Sequence, residues 1–152
     1  MITASQFDDD AIIAQAMNIL KKRMREPGLV CREPAAAASY LKLKTASLEH
    51  EVFNVMFLDV KNRVITTEEM FRGTLTSTSV YPREVVKKAM HHNANGVVIS
   101  HNHPSGEPEP SDADMHVTDH LQQALALVGV RVLDHIIVAG DRHYSFAEHG
   151  RI

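Results

Sequence analysis

Two imidazoles, a hydroxyl and a carboxylate are packed into one short run, His101-Asn102-His103-Pro104-Ser105-Gly106-Glu107-Pro108-Glu109-Pro110-Ser111-Asp112-Ala113-Asp114. His101, His103 and Asp114 can bind one divalent cation and leave a coordination position open, which is the donor set of a hydrolytic zinc site. Val97-Val98-Ile99-Ser100 runs directly into this segment as a short core strand. A period of two places Val97, Ile99, His101 and His103 on one side if the extended backbone continues. Asp114 stands three positions before Val117 and seven before Leu121, so it belongs to the inward stripe of a helix beginning at Ser111. A carboxylate buried there is costly without a partner, and a cation shared with two imidazoles would be one. A blander reading uses the same residues: Ser111-x-x-Asp114 is a capping box, and the histidines are ordinary loop residues.

Hydrolysis also needs a proton acceptor beside the attacking water. Glu51, Glu68, Glu69, Glu107 and Glu109 are the candidates. Glu107 and Glu109 fall on an exposed turn, and Glu68-Glu69 in the return strand of a hairpin. Glu51 differs because it opens the nearly unbroken apolar run Val52-Phe53-Asn54-Val55-Met56-Phe57-Leu58. There a carboxylate can be held at a sheet rim in a low-dielectric setting.

The elements that must position these groups follow from pattern. Asp8-Asp9-Asp10 can cap a helix carrying Ile13, Met17, Leu20 and Met24, which fades near Glu26-Pro27-Gly28. A second helical segment spans Pro34 to Leu43. The run from Val52 is a strand buried on both faces, Asp59 to Arg63 a turn, and Val64 to Phe71 the hairpin partner. Gly73 to Val80 reads as an edge strand and loop. Pro82 starts a helix with Val85, Val86, Ala89 and Met90 on one face, ended by Asn95-Gly96. The helix from Ser111 buries Val117, Leu121, Ala124, Leu125 and Val128 and stops at Gly129. Leu133 to Val138 and Arg142 to Phe146 are the closing strands. The order implies an α/β (α+β) domain, a mixed β-sheet flanked by helices.

The bulk numbers narrow the classes of function. At 152 residues there is room for one sizeable core. A net charge of -3 gives no support for non-specific attraction to nucleic acid, and Lys21, Lys22, Arg23 and Arg25 form the only dense basic cluster. A single cysteine, Cys31, excludes an intrachain disulfide and fits a reducing cytoplasm. The polar, acidic N-terminus lacks a signal-peptide pattern, and no apolar run is long enough for a membrane helix. The Ile/Met face of the first helix suits a homo-oligomer. Among the remaining histidines, His135 is expected to give a hydrogen bond to a ligand, His116 and His120 to be surface groups, and His91-His92 to sit at a helix C-terminus.

Glu51, His101-x-His103-Pro104 and Ser111-x-x-Asp114 together resemble the JAMM signature of the JAB/MPN+ metallopeptidases. Glu51-Val52-Phe53, Leu58-Asp59-x-Lys61-Asn62-Arg63, Phe71-Arg72-Gly73-Thr74-Leu75, Pro82-Arg83-Glu84-Val85 and His101-Asn102-His103-Pro104-Ser105-Gly106 more narrowly resemble the RadC family. Asp134-His135-Ile136-Ile137-Val138 and Tyr144-Ser145-Phe146 continue the match. The resemblance implies a RadC-like JAB/MPN domain over residues 45–152, with cytidine-deaminase-like layering, after an N-terminal helical region over 1–44. It implies one zinc ion on His101, His103 and Asp114, Glu51 as the acid/base residue, and Ser111 stabilising oxygen near the metal. The reaction implied is hydrolysis of a peptide or isopeptide bond, with a peptide or protein as the partner. Two other readings stand beside it: a DNA repair or recombination protein, by binding or a nuclease step, and a zinc-containing interaction scaffold without turnover. Longer RadC proteins resemble a two-part molecule with a helix-hairpin-helix module, for which the residues before the match are too few.

Overall fold

A computed structural model describes residues 4–73 and 79–152. Four helices of ten residues or more and one helical turn flank a five-stranded mixed sheet among these residues. In chain order they are α1 (Ala4–Met24), α2 (Leu29–Arg32), α3 (Pro34–Thr45), β1 (Val52–Leu58), β2 (Val64–Arg72), α4 (Pro82–His91), β3 (Gly96–Asn102), α5 (Asp112–Ala126), β4 (Arg131–Ala139) and β5 (Arg142–Ser145).

The sheet order is β2-β1-β3-β4-β5. Only β3 and β4 run parallel, joined through α5; the other neighbours are antiparallel. Strands covered on both faces carry apolar residues at successive positions rather than alternate ones. Every residue of β1 and of β3 is buried accordingly. Phe53, Val55, Phe57, Val97 and Ile99 face Val85 and Ala89 of α4 and Val117, Leu121 and Leu125 of α5. Met56, Leu58, Val98, Ile136 and Val138 face Met24, Val30, Ala37, Tyr40 and Leu41 on the α1–α3 side. The result is helix, sheet, helix, with the N-terminal helices packed on the sheet. No helix of the described residues is long and apolar enough to cross a membrane.

Several sequence expectations are corrected. Helix α1 is already under way at Ala4, so Asp8, Asp9 and Asp10 lie inside it and do not cap it. Helix α4 ends at His91, because Asn93 turns left-handed (φ 51°) before Asn95 is reached. Gly96 instead opens β3, where a Cβ would lie 2.5 Å from Leu133 Cδ1, too close for any larger residue without displacing that side chain. Met90 and Val128 are exposed, not part of the buried stripes, whose members are Val85 and Ala89 in α4 and Val117, Leu121 and Leu125 in α5. Residues 74–78 of the expected edge strand lie outside the described residues. The turn α2 was not visible as a pattern: four residues are too few for helical periodicity.

Candidate metal centre

The C-terminal end of β3 delivers the two histidines. His101 pairs with Phe53 across to β1 and with Ile137 across to β4, which fixes its backbone from both sides. His103 lies just past the strand end, where its N–H donates to the Val138 carbonyl (2.8 Å). The loop then reverses: Gly106 takes φ 87°, its N–H donates to His103 O (3.1 Å), and Arg142 Nη2 donates to Gly106 O (2.6 Å). A left-handed residue at that position favours glycine, since a side chain there meets its own carbonyl.

Asp114 arrives on the first turn of α5. Ser111 caps this helix: its Oγ accepts from Asp114 N (3.1 Å), and Asp114 Oδ2 accepts from Ser111 N (2.8 Å). The capping box is thus formed, and the metal-ligand reading falls on the same carboxylate. Asp114 Oδ1 lies 3.1 Å from His101 Nε2, and Oδ2 lies 3.2 Å from His103 Nε2. The two Nε2 atoms are 2.9 Å apart. A tetrahedral shell with bonds of about 2.0–2.1 Å has ligand–ligand edges of roughly 3.3–3.4 Å, close to this spacing.

His101, His103 and Asp114 thus form a cluster able to hold a metal ion. Three acceptor-bearing groups converging at such distances repel one another unless a cation or protons lie among them. The electrostatics say the same. Burial alone would raise the Asp114 carboxyl, but His101 and His103 outweigh it and hold the group far below the ordinary carboxylate range. His103 is raised, chiefly by its contact with Asp114 against the opposing effect of burial, with the Glu107 carbonyl and the charge of Glu51 adding to it.

The support around the ligands is hydrogen-bonded. His103 Nδ1 lies 2.7 Å from the Glu107 carbonyl, which can only accept, so Nδ1 carries a proton and Nε2 is left for an ion. His101 Nδ1 lies 2.8 Å from His135 Nε2, the contact expected of His135. His116 and His120 are exposed. His92 does more than end a helix, since it pairs with Glu68 at 3.0 Å.

Glu51 immediately precedes β1, is half-buried, and acts electrostatically on His103. Its backbone is clamped on either side. Asn102, buried between the two histidine positions, accepts from Val52 N through Oδ1 (2.8 Å) and donates through Nδ2 to His50 O (2.9 Å). Gly73 N donates to Glu51 O (2.9 Å). Asn102 reads in the sequence as a turn-shaping residue; its clamp depends on a partner fifty positions away, which local pattern does not carry. The other carboxylates have separate partners or surroundings. Glu68 pairs with Lys88 and His92, Glu69 pairs with Arg72, and Glu109 is exposed. The Ser111 hydroxyl spends a lone pair on the cap, which leaves its proton to donate.

A mixed sheet between helical layers, with a two-histidine, one-aspartate cluster at a strand end, is the arrangement of a JAB domain. The chain belongs to the RadC-like JAB domain family, whose model matches residues 31–151. It is 58% identical over 125 residues to a UPF0758 protein of Janthinobacterium sp. (strain Marseille), covering 82% of this chain and 56% of the relative. It is 56% identical over 127 residues to UPF0758 protein HEAR2468 of Herminiimonas arsenicoxydans, covering 84% and 57%. It therefore spans little more than half the length of these two relatives. With UPF0758 protein YeeS of Escherichia coli (strain K12) it shares 48% identity over 140 residues, covering 92% of this chain and 95% of the relative.

Proposed function

We propose that this chain is a zinc hydrolase that cleaves an amide, either a peptide or an isopeptide bond. The observation that carries this reading is the convergence of His101 Nε2, His103 Nε2 and the Asp114 carboxylate within 2.9–3.2 Å, with the charge of Glu51 acting on His103. Two neutral imidazoles and one carboxylate suit zinc better than the harder magnesium or calcium, which prefer oxygen. A zinc ion held there supplies Lewis acidity and brings the pKa of water to about 7. Glu51 removes a proton from the attacking water and later returns it to the departing amine nitrogen as the C–N bond breaks. The Ser111 hydroxyl donates to the carbonyl oxygen as negative charge develops on it.

The dense basic cluster of α1 does not favour a phosphodiester substrate. Lys21, Arg25 and Lys44 line a recess with Val64 to Thr67, the end of the β1–β2 hairpin away from Glu51. A backbone held there would not lead into the cluster.

The test is to load the full chain with zinc, confirm one ion per chain, and challenge it with peptide and isopeptide-linked libraries. Cleavage that disappears in Glu51→Gln, with zinc content unchanged, is the expected result. A zinc-loaded protein that cuts neither library, where another JAB-domain peptidase cuts its own substrate in the same buffer, would refute the amide reading.

A further inference from the structure

We propose that Thr118 sets the protonation pattern of the metal cluster from outside it, acting through His135. Thr118 Oγ1 lies 2.8 Å from the Asp114 carbonyl oxygen and 2.6 Å from His135 Nδ1. A carbonyl can only accept, and the hydroxyl owns one proton, so that proton goes to the carbonyl. The second contact is then favourable only if His135 Nδ1 carries a proton and donates it. His135 is fully buried, stacked on Phe146 at 4.5 Å between centroids and edge-on to Phe53 at 6.1 Å. Enclosed among these rings and away from water, the imidazole is neutral. A neutral imidazole has one N–H, so His135 Nε2 is a bare lone pair. It accepts from His101 Nδ1 at 2.8 Å, so that the His101 nitrogen facing His103 and Asp114, the one an ion would take, is Nε2.

His101 needs this relay because its support is of an unusual kind. Metal-ligating histidines are ordinarily steered by a carboxylate, a carbonyl or water, as His103 is by the Glu107 carbonyl. His101 leans instead on a second imidazole, which can serve as donor or acceptor according to its tautomer. With its proton on Nε2, His135 would donate to His101 Nδ1 and put the His101 proton where an ion must bind. The Thr118 hydroxyl removes that choice. Its own anchor is the backbone of Asp114, so the relay leaves one ligand and ends on another. Thr118 and His135 are positioning residues, and neither touches the place of the ion.

The consequence for metal binding rests on the zinc reading above; the tautomers do not. Histidine-labelled full-length protein, metal-free and zinc-loaded, should be studied by imidazole nitrogen–proton correlation NMR. The wild type should carry the His135 proton on Nδ1 with Nε2 bare, and Thr118→Ser should keep that pattern. Thr118→Val should move the proton to Nε2 in the metal-free protein and weaken zinc binding about 10–100-fold. Mere loss of packing would lower stability without moving the proton. A His135 proton found on Nε2 in the wild type, or one that stays on Nδ1 in Thr118→Val, would overturn the proposal. The expected tautomers in a wild type that binds no zinc would uphold the relay and sink the metal reading.

Discussion

Replacing Asp114 with asparagine separates the two tasks of that carboxylate. Its Oδ2 accepts from Ser111 N at 2.8 Å, and its Oδ1 faces His101 Nε2 at 3.1 Å. Asparagine has one oxygen, and the cap claims it, since the reverse orientation would set an NH2 against the Ser111 N–H. The amide nitrogen is thereby placed opposite His101 Nε2, where it donates into the lone pair meant for an ion. The metal-free variant should keep its cap and melt within a few degrees of wild type. Saturating zinc at about 100 times its Kd stabilises a binding protein by about 2.7 kcal/mol, which is about 5–11 °C in Tm for a chain of this size. The wild type should show that upward shift and Asp114→Asn almost none. Asp114→Ala should lose the shift and also about 1 kcal/mol of capping energy in the metal-free state. Differential scanning calorimetry with and without zinc, at fixed pH and protein concentration, reads all three. An Asp114→Asn variant with the full zinc-dependent shift would refute this account of the cluster.

Three further perturbations test the frame around it. Asn102→Ala leaves the Val52 N–H and the His50 carbonyl without their partner and should cost about 2–4 kcal/mol in urea unfolding, with zinc stoichiometry unchanged and Glu51-dependent cleavage reduced. Glu68 is held below its ordinary carboxylate value: burial opposes this, but hydrogen bonds from His92 and Lys88 outweigh it. Its folded pKa thus lies below the unfolded one, so the pair stabilises above the unfolded value and the gain is lost as pH falls through the folded one. Because the groups are partly solvated, the gain is under about 1 kcal/mol; the advantage of wild type over Glu68→Gln should be full near about pH 6 and fall away in acid, as pH drops from the ordinary carboxylate value through the lowered folded one, and a constant offset across that range would contradict the pairing. Leu121→Ala empties a fully buried site beneath α5 and should cost about 2–5 kcal/mol by denaturant titration.

The parts of the fold legible in the sequence are those governed by short periods. The nearly unbroken apolar run after Glu51 matches β1 residue for residue, and the offset from Asp114 to Val117 and Leu121 put the carboxylate inward. Boundaries set by single backbone conformations were less visible. Asparagine at position 93, not the Asn95-Gly96 pair, turns the chain out of α4. The charged triplet Asp8-Asp9-Asp10 has the composition of a cap, yet helix formation continues through it to Ala4. Least legible were roles created by pairing across the sheet. Asn102 and Thr118 are ordinary polar letters until β1 meets β3 and α5 meets β4.

The pairing of β1 with β3 also divides the site by chain distance. The three cluster residues come from one strand–loop–helix segment, whereas Glu51 stands at the head of β1, which pairs with β3 so that Phe53 lies opposite His101. On the zinc reading proposed above, one segment would gather the ligands and another would bring the base. A two-residue slip of β1 would carry Glu51 along β3 while leaving His101, His103 and Asp114 on their own segment. On that reading, metal content and turnover would be separable by changes that touch none of the three cluster residues.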